Sequence, residues 1–213
     1  MSEQTSKYLK NARAAREENN AEDAKKFYDM VRIDDPENGE AKFFYQYYSL
    51  YEGKNGEIPT RFKNLIVNLK TALRCVAEST DSDAEKLSVI SAIATAFVPM
   101  TWSLNRYMNT LFVGSGQNRQ LVIPAKEIAK ACENGVVALY ELGDNIVKYF
   151  GGNKEMTDIA VAAWKEGVTL QQKWYAYKYE GKTAEEYAEK IRKIEPEYEM
   201  PKKAGCISFS DKR

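Results

Sequence analysis

Side chains that commonly perform catalysis are scarce in this sequence. Histidine is absent from its 213 residues, which removes the usual general base at neutral pH and every nucleophile that an imidazole activates. Cys75, Cys132 and Cys206 are far apart and form no CxxC pair, so a structural zinc site is close to excluded. We therefore predict no catalytic residue, no bound metal and no cofactor.

Two further patterns could do chemistry but have simpler interpretations. Adjacent carboxylates such as Glu185-Glu186 lie at expected helix ends, where capping and the helix dipole explain them. The glycine-containing segment 114–118 follows no expected strand and matches neither the dinucleotide-binding pattern nor the P-loop pattern. Glycine at a helix C-terminus is the better interpretation, so neither pattern predicts acid–base catalysis or phosphate binding.

An aromatic segment is the strongest candidate for a binding surface. Residues 41–53 read AKFFYQYYSLYEG, with six aromatic side chains between positions 43 and 51. On a helical wheel the apolar positions cover an arc of about 220°, whereas one packing face needs only a little over roughly 100°. One flank must therefore be core, and the flank with Phe43, Tyr47 and Tyr51 is left as a candidate for partner binding. The alternative is that neighbouring helices bury it, since aromatic residues on helices are usually core.

Basic residues of the first expected helix could assist this surface. Lys10, Arg13 and Arg16 lie on one side of that helix. If the aromatic surface is used, we expect Lys10 and Arg13 to orient an acidic partner. A solvated basic helix face is the simpler alternative.

Composition argues against nucleic acid and membrane as partners. Acidic and basic residues balance at 31 each, so no global field steers the chain toward a polyanion. Residues 87–105 carry no charge and reach the length of a membrane span, but their serines, threonines and Pro99 lower the mean apolarity. We expect a buried central helix there. The polar N-terminus and the sparse cysteines predict a cytoplasmic protein.

Helical patterns dominate the chain and strand patterns are nearly missing. We predict an all-α protein with one helical domain over 1–196 and a flexible tail over 197–213. Capping boxes at 82–85 and 183–186 mark two helix starts, and Pro99 is expected to kink or break a helix. About eight helices are expected: 4–18, 21–33, 40–52, 59–78, a run from 87 interrupted near Pro99, one from Pro124 to near 151, one reaching about 179, and one from 183 to before Pro196.

The first two helices resemble a tetratricopeptide repeat. Residues 20–28, NAEDAKKFY, are the most typical piece. The register places Tyr8, Ala12, Ala24, Tyr28, Val31 and Pro36 on the aromatic, small and closing positions of the repeat over residues 5–38. A weaker similarity covers 164–196, with a long-helix middle over 59–179 between them.

That resemblance implies an irregular α-α superhelix, or helical-hairpin bundle, similar in style to small bacterial proteins of this type. It also implies a concave groove that holds a peptide. We accordingly predict a non-enzymatic scaffold that binds a protein or peptide partner. Two alternatives stay open: a homodimer that buries the same aromatic surface, and a small-ligand or enzymatic cavity among the long helices.

Overall fold

The structure, a computed structural model, describes residues 2–50, 52, 57–114, 125–173 and 183–203, without the side chains of 109, 111–114 and 125–129. These described residues form eight α-helices and no strand, which confirms the all-α prediction. The helices are α1 Glu3–Glu17, α2 Ala21–Asp34, α3 Gly39–Ser49, α4 Ile58–Glu78, α5 Asp83–Gly114, α6 Ala125–Phe150, α7 Lys154–Lys173 and α8 Ala184–Arg192.

Local sequence signals explain several helix starts. Asn20 caps α2 by accepting a hydrogen bond from the Asp23 amide, and Thr183 caps α8 in the same way through the Glu186 amide. The predicted box before α5 forms in both directions, because Ser82 Oγ accepts from the Glu85 amide while a Glu85 carboxylate oxygen accepts from the Ser82 amide. These contacts are set by neighbours in sequence.

The turn between α1 and α2 is equally local. Asn19 has a φ of 56°, the left-handed region that asparagine tolerates better than most residues. This conformation ends α1 and lets α2 fold back against it. The result is the first helical hairpin of the chain.

Pro99 does not break α5, which continues as one helix from Asp83 to Gly114. Proline leaves the carbonyl four residues earlier without its helical donor. Both Pro99 and Thr95 are exposed, so water can satisfy that carbonyl. The predicted break was therefore wrong, the predicted kink stays a prediction, and α5 is the longest helix of the described chain.

Helix α6 lies at the centre of the packing, in contact with α4, α5 and α7. Helices α1 to α4 pack in chain order, and α8 packs on α7. One hydrophobic core joins all eight helices, from Leu9 in α1 to Ile191 in α8. The buried set is therefore continuous across the described helices.

Two side chains of the segment after α8 contact the core. Tyr198 and Met200 lie against the core, and the Lys165 ammonium lies 5.6 Å from the centroid of the Tyr198 ring. Pro201 is half-buried as well, and the flexible tail expected over 197–213 stays a prediction. Residues 204–213 lie outside the described part of the chain.

Helix α5 is also the most apolar one. Within Asp83–Met108 an 18-residue window reaches a mean hydropathy of 1.6, and among the described helices α5 alone is long and apolar enough to cross a membrane. In the structure it contributes Ile90, Ile93 and Phe97 to the core, each fully buried. Its exposed face carries serine and threonine. A buried core helix passes the same test, so cytoplasmic localisation stays a prediction.

Candidate binding cleft

The predicted aromatic anchors do not form an open surface. Phe43 is fully buried, with its ring 6.2 Å from that of Phe97 in α5 and 5.0 Å from that of Phe44. Helix α5 covers this flank of α3, a tertiary contact that the wheel could not show. Phe43 is therefore a core residue, and its assignment as a partner anchor was wrong.

Tyr47 lies at the edge of the same cluster. It is half-buried, with ring centroids 6.0 Å from Phe43 and 5.2 Å from Tyr48. Burial raises the pKa of its hydroxyl above the ordinary value of tyrosine. Tyr51 lies outside the described residues, so its predicted role stays a prediction. Of the two described residues of this flank, Phe43 and Tyr47, only Tyr47 is partly accessible.

The predicted basic residues lie elsewhere, beside a buried carboxylate. Glu40, in the first turn of α3, has a side chain only 4% exposed. Arg13 Nη2 donates to one of its oxygens at 2.6 Å, and Arg16 Nη1 donates to the other at 3.0 Å. The Tyr28 hydroxyl donates to Glu40 as well, at 2.8 Å. Three helices, α1, α2 and α3, are thus tied to one anion.

Charge compensation explains why Glu40 can be buried there. A carboxylate without partners would be costly to remove from water, whereas one that accepts charge-assisted hydrogen bonds on both oxygens is tolerated. The hydrogen bonds to Glu40 raise the pKa of Arg13. Burial, followed by the charge of Glu40, raises the pKa of Tyr28. The Arg16 guanidinium also lies 4.6 Å from the centroid of the Phe44 ring.

A cleft of about 790 Å³ opens beside this network. Its walls are α1, the segment joining α2 to α3, the end of α4 with residues 79–81, and the start of α5. Leu9, Val76 and Val89, all buried, supply apolar surface at its base. Ligand pockets usually have volumes of about 300–1,000 Å³, and the volume of this cleft falls within that range. Lys10 and Arg13 both line it.

Carboxylates dominate the charged groups of the cleft. Seven acidic side chains and two basic ones line it. Two of the acids have basic partners: Glu40 binds Arg13 and Arg16, and Glu37 lies 3.5 Å from Lys42. The other five form no ion pair among the described residues; they are Glu17, Asp35, Glu78, Asp81 and Glu85. The cleft therefore has an excess of uncompensated negative charge.

This charge distribution bears on the predicted role of Lys10 and Arg13. Arg13 is committed to Glu40, and Lys10, although exposed, faces a cleft with five uncompensated carboxylates. An acidic partner would meet repulsion there. Two of the five predicted residues, Lys10 and Arg13, line one cleft, and their expected role in orienting an acidic partner stays a prediction.

A thiol contact lies in the same wall. Cys75, which is 3% exposed, donates from Sγ to a Glu37 carboxylate oxygen at 3.2 Å. This hydrogen bond, with Lys42 nearby, lowers the pKa of Glu37, while burial raises the pKa of Cys75. A thiol held in its protonated form is a poor nucleophile. No cluster of three metal-ligating side chains occurs among the described residues.

Sequence reasoning missed most of the cleft. Its walls come from four separate segments between Ser6 and Val89, and only tertiary packing brings them together. The one available signal was Glu40 in the first turn of α3 together with arginines three residues apart on α1.

Comparison with protein-family models, with curated proteins and with solved structures found no match. The tetratricopeptide resemblance therefore stays a prediction.

Proposed function

We propose that this chain is a non-enzymatic interaction module whose cleft takes up a segment of a partner protein. The observation that supports the proposal is the cleft itself: about 790 Å³, open to solvent, with apolar side chains at its base and charged side chains at its rim. An apolar centre with a polar rim is the usual arrangement of a protein–protein contact. The site lies on α1, α4 and α5 rather than on the aromatic flank of α3.

The charged groups of the cleft favour binding over catalysis. Glu40, the one buried carboxylate among those lining residues, accepts donors on both oxygens from Arg13, Arg16 and Tyr28. That leaves it little capacity to accept a proton from a substrate. The five uncompensated carboxylates are exposed or half-buried at the rim. An interaction surface explains such groups without a reaction.

The homodimer alternative has less surface to use. Phe43 is buried within the chain and Tyr47 is half-buried, so these two described residues of the aromatic flank offer little area to a second copy. Among the described residues the large apolar side chains that are exposed are Ile33, Val67 and Ile194, one each on α2, α4 and the segment after α8. Scattered single residues do not make a dimer interface.

A pair of tryptophan substitutions tests the proposal. Ala14 is exposed on α1 and lines the cleft, whereas Ala162 is exposed on α7 and does not. Ala14→Trp should fill the cleft and abolish capture of partner proteins from native lysate, and Ala162→Trp should leave the captured set unchanged. Both variants should melt like the wild type. Equal capture by the wild type and Ala14→Trp would refute a role for the cleft.

A further inference from the structure

Uncompensated charge in the cleft has one dominant sign. The five carboxylates without an ion pair are opposed by Lys10, the one basic lining residue that forms no ion pair among the described residues. The whole chain is neutral, with 31 acids and 31 bases, so this excess is local. A concave surface lined by one sign of charge concentrates the field and attracts ligands of the opposite sign.

Buried apolar side chains line the same cleft as these carboxylates. They are Leu9, Val76 and Val89, and they come from the same helices, α1, α4 and α5, as Glu17, Glu78 and Glu85. A ligand that fits must therefore combine an apolar stem with a positive head. Lysine and arginine side chains have that composition, because they bury their methylene stems while the charged end stays hydrated.

A bare metal ion does not fit this arrangement. Divalent cations need several oxygen ligands converging on one point, and no group of three metal-ligating side chains occurs among the described residues. The carboxylates are spread over separate walls of a cleft of about 790 Å³. Distributed negative charge suits a ligand with several positive groups spaced along its length.

We infer that the cleft binds a lysine- and arginine-bearing segment of a partner protein. This inference rests on the proposed function and specifies its partner chemistry. The five carboxylates repel an acidic segment, and the Arg13 guanidinium is already paired with Glu40. Charge complementarity selects a basic occupant, and the apolar base adds contact for the aliphatic stems.

Fluorescence anisotropy with labelled peptides of defined composition tests this inference. The probes are three peptides of equal length that alternate alanine with arginine, with glutamate or with glutamine. We expect the full chain to bind the arginine peptide, with affinity falling as salt is added, and to bind neither of the others. Unlabelled spermidine, added as a competitor, separates a protein segment from a small polycation.

Two triple variants with the same change of charge locate the binding. The cleft variant carries Glu17→Gln, Glu78→Gln and Asp81→Asn, and the control carries three exposed carboxylate changes outside the cleft: Asp158→Asn, Glu189→Gln and Glu199→Gln. The cleft variant should bind the arginine peptide roughly ten-fold more weakly. The control should stay within about two-fold of the wild type. Matching circular dichroism melts of the two variants establish that both are folded.

Three results would overturn the inference: equal binding of the glutamate and arginine peptides, unchanged affinity in the cleft variant, or spermidine binding as tightly as the arginine peptide. A dimer that dissociates only in the cleft variant, seen by analytical ultracentrifugation, would also overturn it by making a second copy the occupant. If Ala14→Trp abolishes partner capture but no arginine peptide binds, the cation assignment fails and the proposed function stands. If Ala14→Trp changes neither partner capture nor peptide binding, both fail.

Discussion

Helices α1–α3 and helices α6–α8 are each joined by a buried tyrosine that donates to a carboxylate. Tyr28 donates to Glu40 at 2.8 Å, and Tyr187 donates to Asp144 at 2.6 Å. The surroundings of the two acids differ. The Glu40 side chain is 4% exposed and lies between two guanidinium groups, whereas the Asp144 side chain is 30% exposed and lies 3.2 Å from the Lys190 ammonium.

Helix contacts differ in the same way. In the C-terminal region the rings of Tyr140 and Tyr187 stack at 3.8 Å, and the Trp164 indole donates to the Tyr140 carbonyl at 3.2 Å. Contacts of aromatic side chains therefore join α6, α7 and α8 in that region. In the N-terminal region the rings of Tyr28 and Phe44 also stack, 5.1 Å apart, and the ion pairs of Glu40 with Arg13 and Arg16 lie next to an open cleft. The N-terminal region thus combines apolar packing with a charged, accessible surface.

Substitution of the two acids, Glu40 and Asp144, should give the largest effect on stability and so tests this difference first. Glu40→Ala should lower the free energy of unfolding by about 3 kcal/mol, because it leaves two guanidinium groups and a buried hydroxyl without their acceptor. Asp144→Ala should cost about 1 to 2 kcal/mol, since Asp144 and Lys190 are partly hydrated. Urea denaturation followed by circular dichroism measures both values. Equal losses would show that the two pairs contribute alike, and the comparison would fail.

A glycine contact tests the tight packing of the C-terminal region. A Cβ at Gly143 would lie 2.4 Å from Trp164 Nε1 and 2.7 Å from the Ala160 carbonyl oxygen. Because the backbone of α7 cannot yield as a side-chain tip can, Gly143→Ala should destabilise the protein by about 2 kcal/mol.

Gly152 supplies the matched control for that substitution. A Cβ at Gly152 meets nothing within 4 Å, so Gly152→Ala should change stability by less than about 0.5 kcal/mol. Thermal melts of the two variants side by side give the comparison. If Gly143→Ala leaves stability unchanged, α6 and α7 can separate slightly, and the aromatic contacts between them are looser than the distances indicate.

Helix positions were predictable because short-range contacts determine them. The capping boxes at Ser82 and Thr183 form as their sequences predict. Helix α4 starts at Ile58, next to the expected Pro59. Pro99 was misjudged, because the cost of proline within a helix depends on whether water reaches the freed carbonyl. That exposure is a property of the whole fold.

The candidate site was much less predictable than the helices. The wheel established that α3 has more apolar surface than one face needs, but only packing against Phe97 of α5 decides that Phe43 is core. The role of Arg13 likewise depends on Glu40, which lies on another helix. Single-sequence patterns identify which residues share a helix face. They do not identify what lies opposite that face.

Alkaline pH should give the smallest loss of stability, and the loss should be the same for Tyr28 and for Tyr187. Burial raises the pKa of both Tyr28 and Tyr187 above the ordinary value of 10.0. The unfolded chain therefore loses these protons first, so their contribution to stability is complete below about pH 10 and declines as the pH rises above it. Between about pH 10 and about pH 11 the free energy of unfolding should fall by about 1 kcal/mol for each of the two tyrosines. In urea titrations, Tyr28→Phe and Tyr187→Phe should each reduce the loss of unfolding free energy at alkaline pH by about 1 kcal/mol. If Tyr187→Phe shows the same loss as the wild type, the Tyr187 hydroxyl at Asp144 is already open to water.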